Sequence, residues 1–229
     1  MVHRDYNAAP LNPLPWIVWA LALPVIAVEI VVQLHALGLA GGGVAVDWRF
    51  TAVQYFAFAP DWFRDGLATG RGGADLYRIV SYVLVNPTLT STIFAVVMLL
   101  ALGKMVAEVY RWWAVVMVVL GATVAGALAH AYLIPGNVNP LLGTFPAVYG
   151  LIGAFTFMLW VRLAATGGSQ ARAFTLIGFL LGFQLLFGLL FGGGVQWVSD
   201  LGGFAAGFLL SFIVSPGGWR RVMDRLRQR

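Results

Sequence analysis

Cysteine is absent from this chain of 229 residues, and charged residues make up only 10% of it. The lack of cysteine excludes disulfides, a thiol nucleophile and any metal site with thiolate ligands. Together with a hydrophobic fraction of 60%, so small a charged fraction lies far outside the composition of soluble globular domains. The sequence therefore predicts a chain that is surrounded mainly by lipid, and it indicates neither a cofactor nor a metal.

The basic residues are concentrated near the C-terminus. The formal net charge is +5, and the stretch WRRVMDRLRQR at 219–229 supplies most of it. Basic residues beside a membrane span are attracted to anionic headgroups, so this stretch is interpreted as an anchor at the membrane surface. We expect the protein to contact the lipid bilayer and not to bind nucleic acid.

Long apolar runs predict an all-α, polytopic membrane protein. A helix needs about 20 apolar residues to cross about 30 Å of hydrocarbon. The first run is longer than the apolar region of a usual signal peptide, which favours a retained helix; a signal anchor is the alternative. We predict a six-helix membrane domain over 1–214 and a basic cytoplasmic tail over 215–229. The six spans are about 14–37, 79–102, 112–133, 144–163, 172–192 and 197–214.

The distribution of basic residues predicts the orientation of these spans. Six spans place both termini on one side, together with the connections 103–111 and 163–171. These segments and their edges contain most of the lysine and arginine, and cytoplasmic segments are enriched in those residues. Both termini are therefore expected in the cytoplasm, and the bacterial inner membrane is the expected location.

The segment 38–78 is the one long connection between predicted spans. It combines tryptophan, glycine and charged residues, such as Asp47, Trp48 and Arg49. Tryptophan rings favour the membrane interface, where nearby charges stay hydrated, so the segment is predicted to lie in the headgroup layer. A flexible exposed loop is the alternative.

A few polar residues fall inside the apolar runs. An ionisable side chain near the bilayer centre costs about 2.5–3.5 kcal/mol on insertion scales, so each needs a partner or a function. Glu29 and Gln33 are four residues apart, which places them on one helix face within hydrogen-bonding reach. Asp200 begins the last span. His130, near the end of the third, is interpreted as a hydrogen-bonding residue, because a lone histidine cannot build a metal site.

Small residues recur at helical spacing in two spans. Gly203 and Gly207 form a small-xxx-small stripe that allows close approach of another helix backbone. Gly121, Ala125 and Gly126 are suited to the same role in the third span. Packing alone explains both groups.

Four stretches together resemble the rhomboid family of intramembrane serine proteases. The resemblance covers about residues 14–214 and implies a six-helix bundle with a long first loop. Its motifs are YRIVSY at 77–82, a turn at Gly103 followed by Glu108, GTFPAVYGLIGAF at 143–155 and SDLGGFAAG at 199–207. The positions that match the family are Arg78, Gly143, Ala147, Val148, Tyr149, Gly150, Gly203 and Gly207.

In the same alignment of motifs, other amino acids stand at the positions of the family's catalytic residues. Phe145 stands at the nucleophilic serine, and a phenyl ring cannot attack a carbonyl. Pro146 replaces the following glycine, and Asp200 replaces the histidine base. The family's histidine and asparagine positions on the second span, which help to hold the oxyanion, fall on Asn86, Ser91 and Ala95.

The resemblance therefore implies a catalytically inactive member that binds the transmembrane segment of a partner protein and affects its assembly, folding or turnover. In such a protein, the Phe145 ring is expected to fill the former cleft while the Tyr149 hydroxyl hydrogen-bonds Asp200. The residues predicted to serve structure or partner binding are Glu29, Gln33, Arg78, Gly143, Pro146, Tyr149, Gly150, Gly203 and Gly207.

Three alternatives remain open at the level of sequence. In the first, the protein is an accessory subunit of a larger membrane complex, which differs from the hypothesis above only in that the partner stays bound permanently. It is an active protease with displaced residues, with Ser91 or Ser199 as nucleophile and His130 or Asp200 as base. Or it is a small transporter or channel that uses Glu29 and Asp200, although no inverted repeat is visible.

Overall fold

The computed structural model describes most of the chain as helix. The described residues are 13–39, 47–69, 76–134, 136, 138–175, 177–180, 182 and 194–215. Within these ranges the only β-type pairing is a single antiparallel bridge between Phe58 and Leu141. The predicted all-α class is therefore confirmed.

Five helices are long and apolar enough to cross a membrane, counted over the described residues. They are α1 Trp16–Ala36, α5 Leu89–Ala107, α6 Trp112–Tyr132, α7 Phe145–Ala165 and α8 Trp197–Val214. Three shorter α-helices with described bounds are α2 Trp48–Phe56, α3 Pro60–Thr69 and α4 Arg78–Ser81. The described part of the chain also contains two 3₁₀ segments, Tyr82–Leu84 and Gln170–Phe174.

The predicted second span, 79–102, was wrong in its bounds. The structure breaks the chain after Leu84, and the membrane helix α5 begins at Leu89. Pro87 cannot donate a backbone hydrogen bond, and Thr88 caps the new helix by accepting a hydrogen bond from the Ser91 amide at 3.1 Å. The four predicted spans at 14–37, 112–133, 144–163 and 197–214 each contain or closely match an observed helix.

Two predicted segments lie largely or wholly outside the described residues. The predicted fifth span, 172–192, is described only at its start and at a few positions up to residue 182. The predicted tail, 215–229, is described only at Ser215.

Glycine contacts hold α6, α7 and α8 together in the centre of the bundle. A Cβ on Gly207 would lie 2.0 Å from the Gly150 carbonyl oxygen, and one on Gly203 would lie 2.2 Å from the Pro146 carbonyl oxygen. The backbones of α7 and α8 are therefore in direct contact, as the predicted small-residue stripe requires. Gly126 of α6 packs against the Pro146 side chain.

The helix α1 packs on the outside of this group, against α5. A Cβ on Gly103 would lie 3.0 Å from Cγ1 of Val18. Gly103 is thus a packing residue within α5, and the turn predicted at this position was wrong. This position favours glycine because glycine is small, not because of its conformational freedom.

The long connection contains two helices that are tied to the bundle. Asp47 caps α2 by accepting hydrogen bonds from the amides of Arg49 and Phe50. Arg64 of α3 donates a hydrogen bond at 2.6 Å to the Ala131 carbonyl oxygen in the last turn of α6. Over 47–69 the connection therefore consists of two helices joined by residues 57–59; residues 40–46 and 70–75 lie outside the described part of the chain.

Candidate functional site

The start of α7 is held by a sharp turn. Gly143 has a φ of +115°, a backbone conformation that favours glycine. Its amide donates a hydrogen bond at 3.1 Å to the carbonyl oxygen of Tyr82. This bond brings the N-terminus of α7 against the 3₁₀ segment that precedes α5.

Asn86 and Thr144 form a reciprocal pair beside this turn. The Thr144 amide donates to Asn86 Oδ1 at 3.1 Å, and Asn86 Nδ2 donates to Thr144 Oγ1 at 3.0 Å. The Thr144 hydroxyl in turn donates to the Val83 carbonyl oxygen at 2.7 Å. Both side chains are buried, so each polar group needs these partners. We call this arrangement the Asn86–Thr144 clamp.

Most backbone donors at the start of α7 are already engaged. The amides of Gly143 and Thr144 bind Tyr82 and Asn86, and the Ala147 amide donates to the Thr144 carbonyl oxygen at 3.1 Å. Pro146 has no amide hydrogen. A site that stabilises an oxyanion needs free, converging donors, and this helix start offers few of them.

Phe145 and Pro146 occupy the first two positions of α7. The partly buried ring of Phe145 lies 6.5 Å from the ring of Phe94 on α5. Pro146 lies within the first turn, as predicted, where its missing amide hydrogen costs little. Phe145 thus extends toward α5, whereas Tyr149, one turn later, interacts electrostatically with Asp200 of α8. The two side chains reach different neighbours.

Asp200 is buried, with 4% of its surface exposed, in the first turn of α8. The positive end of the helix dipole favours a carboxylate at this position. Asp200 interacts electrostatically with the hydroxyls of Tyr82 and Tyr149. Burial, and to a smaller extent the negative charge of Asp200, raise the pKa of Tyr82 well above its usual value. The Tyr82 hydroxyl donates to the Thr123 carbonyl oxygen at 2.8 Å.

The residues considered as displaced catalytic groups are spread over separate elements. Ser91 lies in the first turn of α5, with buried Ala95 one turn further on. The Ser199 hydroxyl donates to the Gln196 carbonyl oxygen of its own helix start. His130 Nε2 lies 3.1 Å from the Asn139 carbonyl oxygen. The structure records no hydrogen bond that joins either serine to His130 or Asp200.

Arg78 binds the long connection between the first two membrane helices. Its Nη1 donates to the Ala57 carbonyl oxygen at 3.3 Å, and its guanidinium carbon lies 5.8 Å from the centre of the Tyr77 ring. The Tyr77 hydroxyl donates to the Tyr55 carbonyl oxygen at 2.7 Å. These contacts fix the end of α2.

A second polar cluster surrounds Glu29 in α1. Gln33 Nε2 donates to Glu29 Oε1 at 2.7 Å, which confirms the interaction predicted from their spacing. Arg49 of α2 forms an ion pair with the same carboxylate at 2.6 Å. The Thr92 hydroxyl of α5 donates to Glu29 Oε2 at 2.7 Å. The carboxylate therefore joins α1, α2 and α5.

Arg49 also connects the Glu29 cluster to the Asn86–Thr144 clamp. Its Nη1 donates to the Asn86 carbonyl oxygen at 2.7 Å. Sequence reasoning missed Arg49, Thr92 and Thr144 as members of these clusters. The available signal was an acidic residue within an apolar run, which calls for a cation elsewhere in the chain.

Comparison with protein-family models matches residues 73–217 to the Rhomboid domain. The match covers more than half of the chain and includes α4 to α8. No curated protein matches the chain. Within the described residues, histidine and carboxylate side chains nowhere gather in groups of three or more that are able to hold a metal ion.

Proposed function

Because this chain belongs to the rhomboid family of membrane proteins, we propose that it is a catalytically inactive member. In this proposal it binds the transmembrane segment of a partner membrane protein and affects the partner's assembly, folding or turnover. The observation that carries the proposal is Phe145, a side chain without a nucleophilic atom, at the start of α7. By the motif alignment, this is where the family places its serine.

The surroundings of Phe145 support the loss of catalysis. The Asn86–Thr144 clamp engages side-chain and backbone donors where an oxyanion would need them. Asp200, at the base position, interacts electrostatically with Tyr82 and Tyr149, and Phe145 at the nucleophile position has no proton for it to accept. Several independent changes would have to be reversed to restore acyl transfer.

A lipid-facing stripe on α5 supports the binding role. Thr90, Phe94, Ala101 and Met105 are exposed and lie on one side of the helix, since they recur at intervals of three to seven residues. Phe145 lies next to this stripe through its contact with Phe94. Small and aromatic side chains are suited to packing against another helix in lipid, where no hydrophobic effect drives association. We call these four residues the α5 stripe.

The remaining site assignments belong to the same proposal. In it, residues 1–214 form the membrane domain, both termini face the cytoplasm and the bacterial inner membrane is the location. The polar residues Glu29, Gln33 and Arg78 and the packing residues Gly143, Pro146, Tyr149, Gly150, Gly203 and Gly207 maintain the scaffold. Their contacts support this role, because most of them join one element to another or fix a helix start.

The proposal is tested by photo-cross-linking in the native membrane, followed by purification in mild detergent and mass spectrometry. Ala101→Trp places a large ring in the middle of the α5 stripe. Ala205→Trp makes the same change at an exposed position of α8 and is the matched control. We expect a reproducible membrane-protein partner that is lost with Ala101→Trp and kept with Ala205→Trp.

The stoichiometry of the partner separates two forms of the proposal. A partner that stays bound in constant ratio through purification indicates a subunit of a larger complex. A partner captured only by cross-linking indicates transient client handling. A protein that is captured alone, or whose partner is unaffected by Ala101→Trp, would contradict binding through the α5 stripe.

A further inference from the structure

A groove of about 360 Å³ separates α1 from α5 on the outside of the bundle. Along α1 it extends from Ile26 to Leu37, and along α5 from Leu89 to Val97. Four of its five α5 residues lie roughly 90–170° around the helix axis from the centre of the α5 stripe, whereas Val97 lies about 50° from it. It does not depend on the function proposed above.

The groove is about as long as one leaflet of the bilayer is thick. Ile26 lies at the middle of α1 and Leu37 just beyond its end, a distance of about 16 Å at 1.5 Å per residue. Leu89 begins α5, and Val97 lies near its middle. Since the hydrocarbon core is about 30 Å thick, the groove extends from the membrane surface to about the bilayer centre.

The polar residues in the lining do not make the groove polar. Glu29 accepts hydrogen bonds from Gln33, Thr92 and Arg49, so these groups satisfy one another. The rest of the lining is aliphatic. An occupant of this largely aliphatic groove therefore needs no hydrogen-bonding groups.

The dimensions of the groove distinguish between a helix and a single extended hydrocarbon chain as its occupant. Spread along the groove's length of about 16 Å, the volume of about 360 Å³ corresponds to a cross-section of about 22 Å², and a helix about 10 Å across is too wide to lie within it. A hydrocarbon chain is thin enough to lie along the full length. The groove is also continuous with the lipid-facing surface, because Ile30 and Ile93 on its walls are exposed.

We infer that this groove is a binding site for one acyl chain of a membrane phospholipid, held in the leaflet that contains the C-terminal half of α1. At its outer end the rings of Trp48 and His35 stack at 4.5 Å, at the level where headgroups begin. The Glu29 cluster keeps α1 and α5 at the separation that the chain requires. The acyl chain leaves one hydrocarbon environment for another, so the hydrophobic effect does not favour its binding. Its preference for the groove comes from van der Waals packing against the fixed walls.

The test uses the full-length protein in liposomes that contain phosphatidylcholine with a diazirine in one acyl chain. After irradiation, mass spectrometry locates the labelled peptides. We expect labelling of 26–37 and 89–97 to exceed that of the exposed face of α8. Ile93→Trp fills the groove and should lower this labelling about threefold, because the indole displaces the carbon contacts of the chain.

Ile213→Trp is the matched control, because Ile93 is 56% exposed and Ile213 is 52% exposed on α8. We expect groove labelling to be unchanged in this variant. Equal labelling of all lipid-facing helices, or groove labelling that survives Ile93→Trp, would overturn the inference. Cross-links from the groove to a second protein chain in place of lipid would overturn it as well. Circular dichroism of both variants verifies that they are folded.

Discussion

Arg49 and Glu29 form an ion pair at 2.6 Å between an α2 residue and an α1 residue that are 20 positions apart in the chain. Only 22% of the arginine side chain and 10% of the glutamate side chain are exposed. Through the Asn86 carbonyl oxygen, the same arginine reaches the segment that precedes α5. One guanidinium group thus joins α1, α2 and the segment that precedes α5.

Removing Arg49 should destabilise the protein. Arg49→Ala leaves the Glu29 carboxylate buried without its cation, and breaking a buried pair in this way typically costs about 3–5 kcal/mol. We expect a loss near 3 kcal/mol in the free energy of unfolding, measured by SDS titration, because Arg49 is partly exposed. Adding Glu29→Gln removes the unpaired charge and should recover part of the loss. Arg111→Ala, at an exposed arginine, is the control, and an equal effect in both would refute the role of the pair.

The Asn86–Thr144 clamp should be sensitive to removal of one side chain. Asn86→Ala leaves the Thr144 amide without its acceptor in a buried place, and an unsatisfied buried group costs about 1–3 kcal/mol. We expect a lower thermal midpoint and faster hydrogen exchange at the start of α7. Gln54→Ala removes an exposed amide and should have little effect. Unchanged exchange at 143–147 in Asn86→Ala would show that the clamp does not hold this turn.

The contact between α7 and α8 should not tolerate a methyl group. In Gly207→Ala the new Cβ would meet the Gly150 backbone, which moves only if the helices separate. Overpacking of this kind typically costs about 1–3 kcal/mol, and a backbone clash should lie at the upper end. Gly178→Ala adds the same methyl group to a helical glycine with nothing within 4 Å. Equal stabilities of the two variants would contradict the packing described here.

The sequence predicted the long apolar helices well but misplaced the start of α5. Mostly apolar residues lie on both sides of the break, over 79–85 and again from Leu89 onward, so a hydropathy average over about 20 residues does not mark it. The local signals at Pro87 and Thr88 do mark it, because proline removes a donor and threonine caps a helix. For Glu29 and Gln33, by contrast, a spacing of four residues was enough, since both lie on one helix.

The sequence did not predict which residues far apart in the chain contact each other. Nothing in the spacing of Arg49 and Glu29 indicates that α2 folds back against α1, and the same holds for Asn86 and Thr144, which are 58 positions apart. The proximity of Tyr149 and Asp200 was anticipated only through the resemblance to the rhomboid family. The hydrogen bond between them stays a prediction. The ring of Phe145 lies beside Phe94, a neighbour that helix periodicity did not suggest.

We propose that this rhomboid-family protein has no serine nucleophile. The most direct measurement is labelling of the purified protein with a fluorophosphonate probe, in parallel with the variants Ser91→Ala and Ser199→Ala. Since the Ser199 hydroxyl donates to the Gln196 carbonyl oxygen and Phe145 has no attacking atom, we predict no covalent labelling above that of heat-denatured protein. Labelling of the native protein that disappears in either serine variant would contradict the account and establish an active hydrolase.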